Sequence, residues 1–290
     1  MNLITPFDPW QGNWCSCPEK YSLSAYTGCG HNCLYCYASS YIRNFSSPRP
    51  KKDFLKRLEK EVRKLPKNSF ITIANSSDPY LPLEKELKLT QAGLKILKEY
   101  DLRIMIVTKS SLILRDLEIL KSFKKIVVSV SFTTLRDALT KTLEPTACLP
   151  GKRLKAIKII SAHIPVVARF DPLIYPLNTG EIKKMVRELK NAGARQIITS
   201  TYKVKPDNFK RMVGSFPKYK AIWEKLYLKE GQRLGRYLYL PLTYRKQLIE
   251  KVRKISLEEG LGFSSCREGF NNLNTKNCDG SSLFPQGENN

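Results

Sequence analysis

The chain has 290 residues, 42% of them hydrophobic, which is enough for one large α/β domain with a sizeable core. Fifty Lys and Arg against 26 Asp and Glu give a net charge of +24, an electrostatic reason to expect an anionic partner. No apolar run reaches the ~18 residues of a membrane span, and residues 1–11 lack the charged start and apolar centre of a signal peptide, so the expectation is a cytoplasmic protein with no membrane partner. Residues 1–20, with Pro6, Pro9, Gly12 and Pro18, read as an irregular N-terminal extension. Residues 21–27 alternate as a strand, and a cysteine-bearing loop follows its end. Lys51 to Leu65 carries Phe54, Leu55, Leu58, Val62 and Leu65 in a helical stripe under a basic face. Phe70 to Ala74 is a short strand, and Thr90 is expected to cap a helix running to Tyr100.

The alternation then repeats. Strands are expected at Leu102 to Val107, Ile126 to Phe132, Val166 to Phe170 and Arg195 to Ser200, with helices at Leu112 to Phe123, Lys152 to Ala162 and Gly180 to Ala192 between them. Six strands alternating with helices imply parallel βαβ units wound right-handedly, as an open doubly wound sheet or a curved six-unit barrel; spacing alone does not separate the two. In either, the loops past the C-terminal strand ends converge on one face, and the working groups belong there.

The first such loop, Thr27 to Tyr37, holds Cys29, Cys33 and Cys36 at the spacing C-x3-C-x2-C. Three thiolates can hold three corners of an iron-sulfur cube and leave the fourth iron open to a non-protein ligand. Structural zinc fits less well, because it takes four closed ligands. His31, inside the tight loop, reads as a packing residue.

C-x3-C-x2-C with Tyr35 just before the last cysteine resembles the cluster motif of radical S-adenosylmethionine (SAM) enzymes. Within that superfamily, Gly28 to Tyr37, with Asp78-Pro79-Tyr80, Thr108-Lys109-Ser110, Leu114-Arg115-Asp116 and Leu143-Glu144-Pro145 downstream, is similar to the spore photoproduct lyase-like (DNA repair photolyase-like) group, over residues 20 to 200 in order. The resemblance implies a partial (β/α)6 barrel of parallel strands over 21–201, between an N-terminal extension, 1–20, and a C-terminal region, 202–290. It implies a 4Fe-4S cluster on Cys29, Cys33 and Cys36, whose open iron chelates the amino and carboxylate groups of SAM. One electron, from a donor such as ferredoxin or flavodoxin, then yields a 5'-deoxyadenosyl radical. For SAM itself, the polar end of strand two, Ser76, Ser77 and Asp78, is expected to meet the amino group, Lys109 the carboxylate, and Ser131, with Ser129 on the same strand face, the ribose. Tyr35 and Arg169 complete the candidate set, although Arg169 and Asp171 could simply pair with each other, and Glu144 could meet substrate or hold its loop. A lyase of this group also needs a hydrogen-donating cysteine near the end of strand two, where this chain has Asn75, Ser76 and Ser77; Cys148 or an outer cysteine is the alternative donor.

The last third departs from the repeat. Residues 202–246 carry twelve Lys and Arg against Asp207, Glu224 and Glu230, interleaved with nine aromatics: Tyr202, Phe209, Phe216, Tyr219, Trp223, Tyr227, Tyr237, Tyr239 and Tyr244. Residues 43–67 add ten Lys and Arg against three acids. Such residues can neutralise phosphates and stack unpaired bases; the competing reading is aromatic core under a solvated basic face. Leu242 to Glu259 reads as a final helix and Leu261 to Ser264 as a short extended piece. Cys15, Cys17, Cys266 and Cys278 lie outside the motif and are expected either to form a second metal site joining the two chain ends, holding an iron-sulfur cluster or zinc, or to pack as ordinary buried thiols. The reading is a radical SAM enzyme acting on a nucleic-acid base, by lesion repair or RNA modification. The alternatives are radical chemistry on a protein or small molecule, and a non-catalytic, metal-stabilised nucleic-acid-binding protein.

Overall fold

The computed structural model describes residues 2–7, 14, 15, 17–74 and 76–285. An eight-stranded sheet runs in chain order: β1 (Thr5–Pro6), β2 (Tyr21–Leu23), β3 (Ser69–Ile73), β4 (Leu102–Thr108), β5 (Ile126–Phe132), β6 (Val166–Leu173), β7 (Gln196–Thr201) and β8 (Gly262–Ser265). Only the edge pair β1 and β2 is antiparallel; β2 to β8 are parallel, with registers such as Ile106 opposite Val128 and Ser131 opposite Arg169. Right-handed helical crossovers of this kind cover one sheet face, which makes the partial barrel expected of the chain.

Both faces of the sheet are buried, and every residue of β5 is. Ile104, Ile106, Val128, Val130, Ala168 and Ile197 point outward into the helix layer, against Leu94, Leu97, Ile157, Ile160, Val186, Leu189 and Val252. Phe70, Met105, Val127, Val167 and Ile198 point inward, and the C-terminal segment closes over them with Leu283 and Phe284. The inner apolar floor therefore lies at the N-terminal halves of the strands, and polar residues follow toward their C-terminal ends.

The six expected strands are present within one or two residues at most ends, and the differences have local causes. Strand one stops at Leu23, because the Ser24 hydroxyl accepts from Tyr26 N (3.3 Å) and donates to Tyr26 O (2.8 Å), turning the chain. Tyr26–Thr27 then pairs with Arg49–Pro50 in a separate ribbon. Thr90 is not a cap. It lies inside the helix Leu89–Leu97, whose N-cap residue is Lys88, and its hydroxyl donates to Pro79 O at 2.7 Å. Leu112 to Phe123 is a 3-10 turn, Ser111–Asp116, followed by a short α-helix, Leu117–Lys121. The extended piece after the final helix, Leu242–Glu258, is β8, which lies parallel to β7 and adds a seventh parallel strand.

Candidate active site

One cavity of about 680 Å³ opens at the C-terminal strand ends, and Cys29, Cys33 and Cys36 share its wall. Its size suits one nucleotide-sized ligand. The cysteine loop enters through Gly28, at φ +85°, where a Cβ would meet Phe45 O at 2.5 Å, so only glycine fits the turn. Cys29 N donates to Phe45 O at 2.8 Å and Leu34 N to Leu143 O at 2.9 Å. From outside, the helix Pro206–Ser215 clamps the loop. Arg211 donates to Leu34 O (3.1 Å) and Cys36 O (2.9 Å), and Asn208 Nδ2 to Tyr35 O (3.1 Å). These two residues went unread in the sequence, where Arg211 counted only as one basic residue of many.

Two buried carboxylates brace the site. Asp78 accepts from Thr108 Oγ1 (2.7 Å), Tyr80 N (2.8 Å) and Lys109 N (2.6 Å), and stands 3.0 Å from His31 Nε2. Burial opposes its charge, but His31 and these donors overcome that and hold its pKa at about 2. His31 is therefore an electrostatic partner of Asp78 and more than packing. Glu144 accepts from Tyr35 OH, from Thr133 Oγ1 at 2.7 Å and from Arg153 Nη2 at 2.5 Å. Against the cost of burial, Arg153 and Lys109 bring its pKa to about 2. Arg153 also donates to Ser131 O at 2.9 Å. Glu144 thus holds its loop, joining the cysteine loop to the end of β5 and the helix Pro150–Ser161.

Lys109 is placed differently. Its Nζ lies 5.8 Å from the Tyr35 ring centroid, and no carboxylate pairs with it among the described residues. Burial works against its charge, but chiefly Glu144 holds its pKa above the ordinary value, so the cation persists in the cavity wall. Ser76, Ser77 and Ser131 line the same cavity. Ser77 Oγ is 3.1 Å from Ser24 Oγ, and Ser76 accepts from Tyr41 OH at 3.2 Å. Asn75 lies outside the described residues.

Other candidates already have partners or lie deeper in the wall. Asp78 spends its oxygens on internal donors, and the Tyr35 hydroxyl is bound to Glu144. Ser129 shares the face of Ser131 but is fully buried below the cavity. Arg169 pairs with Asp171 at 3.2 Å, the alternative weighed from sequence, and Asp171 also accepts from Ser200 Oγ at 2.6 Å. Cys148 donates to Lys109 O at 3.1 Å and lies behind the wall, away from the cavity. Among residues 202–246 Tyr202, Trp223, Tyr227, Tyr237 and Tyr239 are buried and Phe209, Phe216, Tyr219 and Tyr244 are half-buried, so most of these rings serve the core, while Tyr202 and Tyr237 also line the cavity.

The thiols fit the expected cluster by chemistry. As the side chains stand, no three His, Cys, Asp or Glu among the described residues close round a single point. Burial pushes Cys29 up to about 12 and raises Cys33 and Cys36 also, so these are neutral thiols that ligation would deprotonate. Three soft sulfurs from one loop that holds no fourth match a cube with one open iron, and the Lys109 cation in the same cavity suits a carboxylate ligand.

Residues 23–189 match the radical SAM superfamily, more than half of the chain. An uncharacterised protein of Methanocaldococcus jannaschii is 33% identical over 147 residues, spanning 49% of this chain and 55% of that protein. One of Mycobacterium bovis is 24% identical over 265 residues, covering 83% and 74% of the two chains. In structure, a spore photoproduct lyase with bound AdoMet and dinucleoside spore photoproduct superposes with TM-score 0.66 at 16% identity, over 84% of this chain and 75% of that one. Streptococcus suis SuiB, bound to its precursor peptide SuiA, gives 0.57 at 16% identity, over 84% and 48%. The superfamily match spans the cysteine loop and the strands that carry Lys109, Ser131 and Arg169, and the chain belongs to the radical SAM superfamily of enzymes.

Proposed function

We propose that this radical SAM enzyme binds a 4Fe-4S cluster through Cys29, Cys33 and Cys36, holds SAM against Lys109 and Ser131, and acts on a base of a nucleic acid. When bound, the cluster supplies the electron that cleaves SAM to a 5'-deoxyadenosyl radical. The chain's own contribution is positional. Arg211 and Asn208 fix the carbonyls of the cysteine loop, Glu144 and Tyr35 tie that loop to β5, and Asp78 holds the Lys109 backbone. The observation that carries the reading is Lys109, a charged group in the cavity wall that no carboxylate among the described residues neutralises, beside three thiols. A cation kept protonated in the wall, with no carboxylate in direct contact, is free to pair with an anionic ligand group.

The substrate reading rests on the cavity rim. Tyr41, 52% exposed, lines the cavity with Arg236 and Lys205, and Lys205 stacks at 4.8 Å on Tyr237. Outside it, Arg43, Arg49 and Lys52 are exposed in the basic block of residues 43–67. A basic rim with one open ring suits a phosphate backbone entering with a base turned inward. The spore photoproduct lyase of similar fold was solved with a dinucleoside bound, which is consistent with this use of the fold.

The test is in two steps. Anaerobically reconstituted protein with a strong reductant should convert SAM to 5'-deoxyadenosine, and replacing Cys29, Cys33 or Cys36 by Ala should abolish it; full cleavage by any of these variants removes the cluster assignment. Affinity for single-stranded oligonucleotides should fall steeply with salt, and Lys205→Ala with Arg236→Ala should flatten the slope by ~1 to 2. Binding indifferent to salt and to both changes would redirect the search to a protein or small molecule.

A further inference from the structure

Four cysteines take no part in the site described above, yet they meet. Cys17 and Cys278 are 261 residues apart in the chain, and their sulfurs are 3.5 Å apart. Cys15 is in side-chain hydrogen-bond contact with Cys17, and Cys266 with Cys278. Three separate segments therefore bring four sulfurs into one continuous group, and all four line the cavity that Cys29, Cys33 and Cys36 also line.

Each segment is fastened. Lys20, three residues after Cys17, pairs with Asp279, next to Cys278, at 2.5 Å, with both side chains almost fully buried. Cys266 N donates to Thr199 O at 2.8 Å, continuing the ladder beyond β8. Asn277 O accepts from Gln196 Nε2 at 2.8 Å. Gly280, at φ +85°, lies so close to the sheet that a Cβ would meet Val167 Cγ2 at 2.8 Å. Phe284 then packs edge-on against Phe70, ring centroids 5.1 Å apart. The tail is laid along the inner sheet face in the one register that presents Cys278 to Cys17. Ordinary packed thiols sit among apolar groups. Cys266 does pack against the inner apolar floor, but these thiols also sit beside cations: Lys20 contacts Cys17, and Arg169 contacts Cys266. Cationic N–H donors aimed at sulfur are what thiolate ligands need.

We propose that Cys15, Cys17, Cys266 and Cys278 ligate a second thiolate metal centre, which ties the two ends of the chain together and faces the same cavity. As the side chains stand they touch in the order 15, 17, 278, 266 and do not close round a point, so ligation gathers them by side-chain rotation. Four thiolates suit zinc or an iron-sulfur cluster. The single residue between Cys15 and Cys17 is tighter than the Cys-x2-4-Cys units of structural zinc, and favours iron and sulfur.

The test uses the full chain with Cys29, Cys33 and Cys36 all changed to Ala, reconstituted anaerobically with iron and sulfide or supplied with zinc. The expected result is about four irons per chain with a cluster absorption band, or about one zinc, lost on adding Cys17→Ser and Cys278→Ser. Should the triple variant not fold, Cys266→Ser with Cys278→Ser in the otherwise unchanged chain reads the same centre: iron should drop from about eight to about four per chain, or zinc from about one to none. A folded, metal-free triple variant with its outer thiols titratable or joined as disulfides overturns the proposal, as does a second variant in which both iron and zinc are unchanged. The retained iron of that second variant reports the first cluster separately, so failure of one centre is not mistaken for failure of the other.

Discussion

Replacing Glu144 by Gln keeps the shape of the side chain and removes its charge, which isolates what the buried carboxylate does. Its partner Arg153 stands 2.5 Å away, and each side chain is 1% exposed, so the change leaves a guanidinium uncompensated in the core. Breaking such a pair from one side costs ~3 to 5 kcal/mol. An independent route gives the same size. The folded pKa is about 2 against an ordinary 4.5, and a difference of that size corresponds to about 3 kcal/mol of stability at neutral pH. Because the folded pKa is depressed, this contribution is complete above about pH 5 and is lost as pH falls through the folded value. Chemical denaturation followed by circular dichroism should therefore show Glu144→Gln less stable by ~3 to 5 kcal/mol at pH 7. The gap to the parent should narrow as pH falls from 5 toward 3, where the parent loses its own advantage; Asp78 titrates in both proteins and cancels. A variant within about 1 kcal/mol of the parent at pH 7, with the same acid sensitivity, would refute the brace, since exposed pairs are worth no more than that.

Lys109→Ala should weaken SAM binding by ~1.5 to 3 kcal/mol, the range for hydrogen bonds to charged groups, with a smaller loss for Ser131→Ala. Isothermal titration showing neither change would remove both from the cofactor site. Arg211→Ala strips the donors from Leu34 O and Cys36 O, so chelators should remove iron from the variant several-fold faster at unchanged initial loading. Equal rates would mean that the clamp does not steady the cysteine loop.

Much of this was written locally. The strands are short apolar runs at regular spacing, and the three cysteines fall within eight residues, so both patterns need only neighbours to be visible. Lys109 was legible for a related reason: a lysine directly after a buried strand must face either water or an anion. Charge counts were a poorer guide. Residues 202–246 combine basic and aromatic residues, but composition cannot tell a ring packed in the core from one left open, and here none is exposed.

The sequence by itself determined which residues would build strands, where the loops would converge, and that three cysteines would share one of them, because periodicity and motif spacing act over a few residues. Tertiary structure alone decided the rest. Tyr35 finds Glu144 across 109 residues, Arg211 finds Cys36 across 175, and Cys17 finds Cys278 across 261. It also made β8 a strand of the barrel and laid the tail along its inner face. Contacts over such separations are set by which faces the whole chain can bury at once, and no local pattern records that.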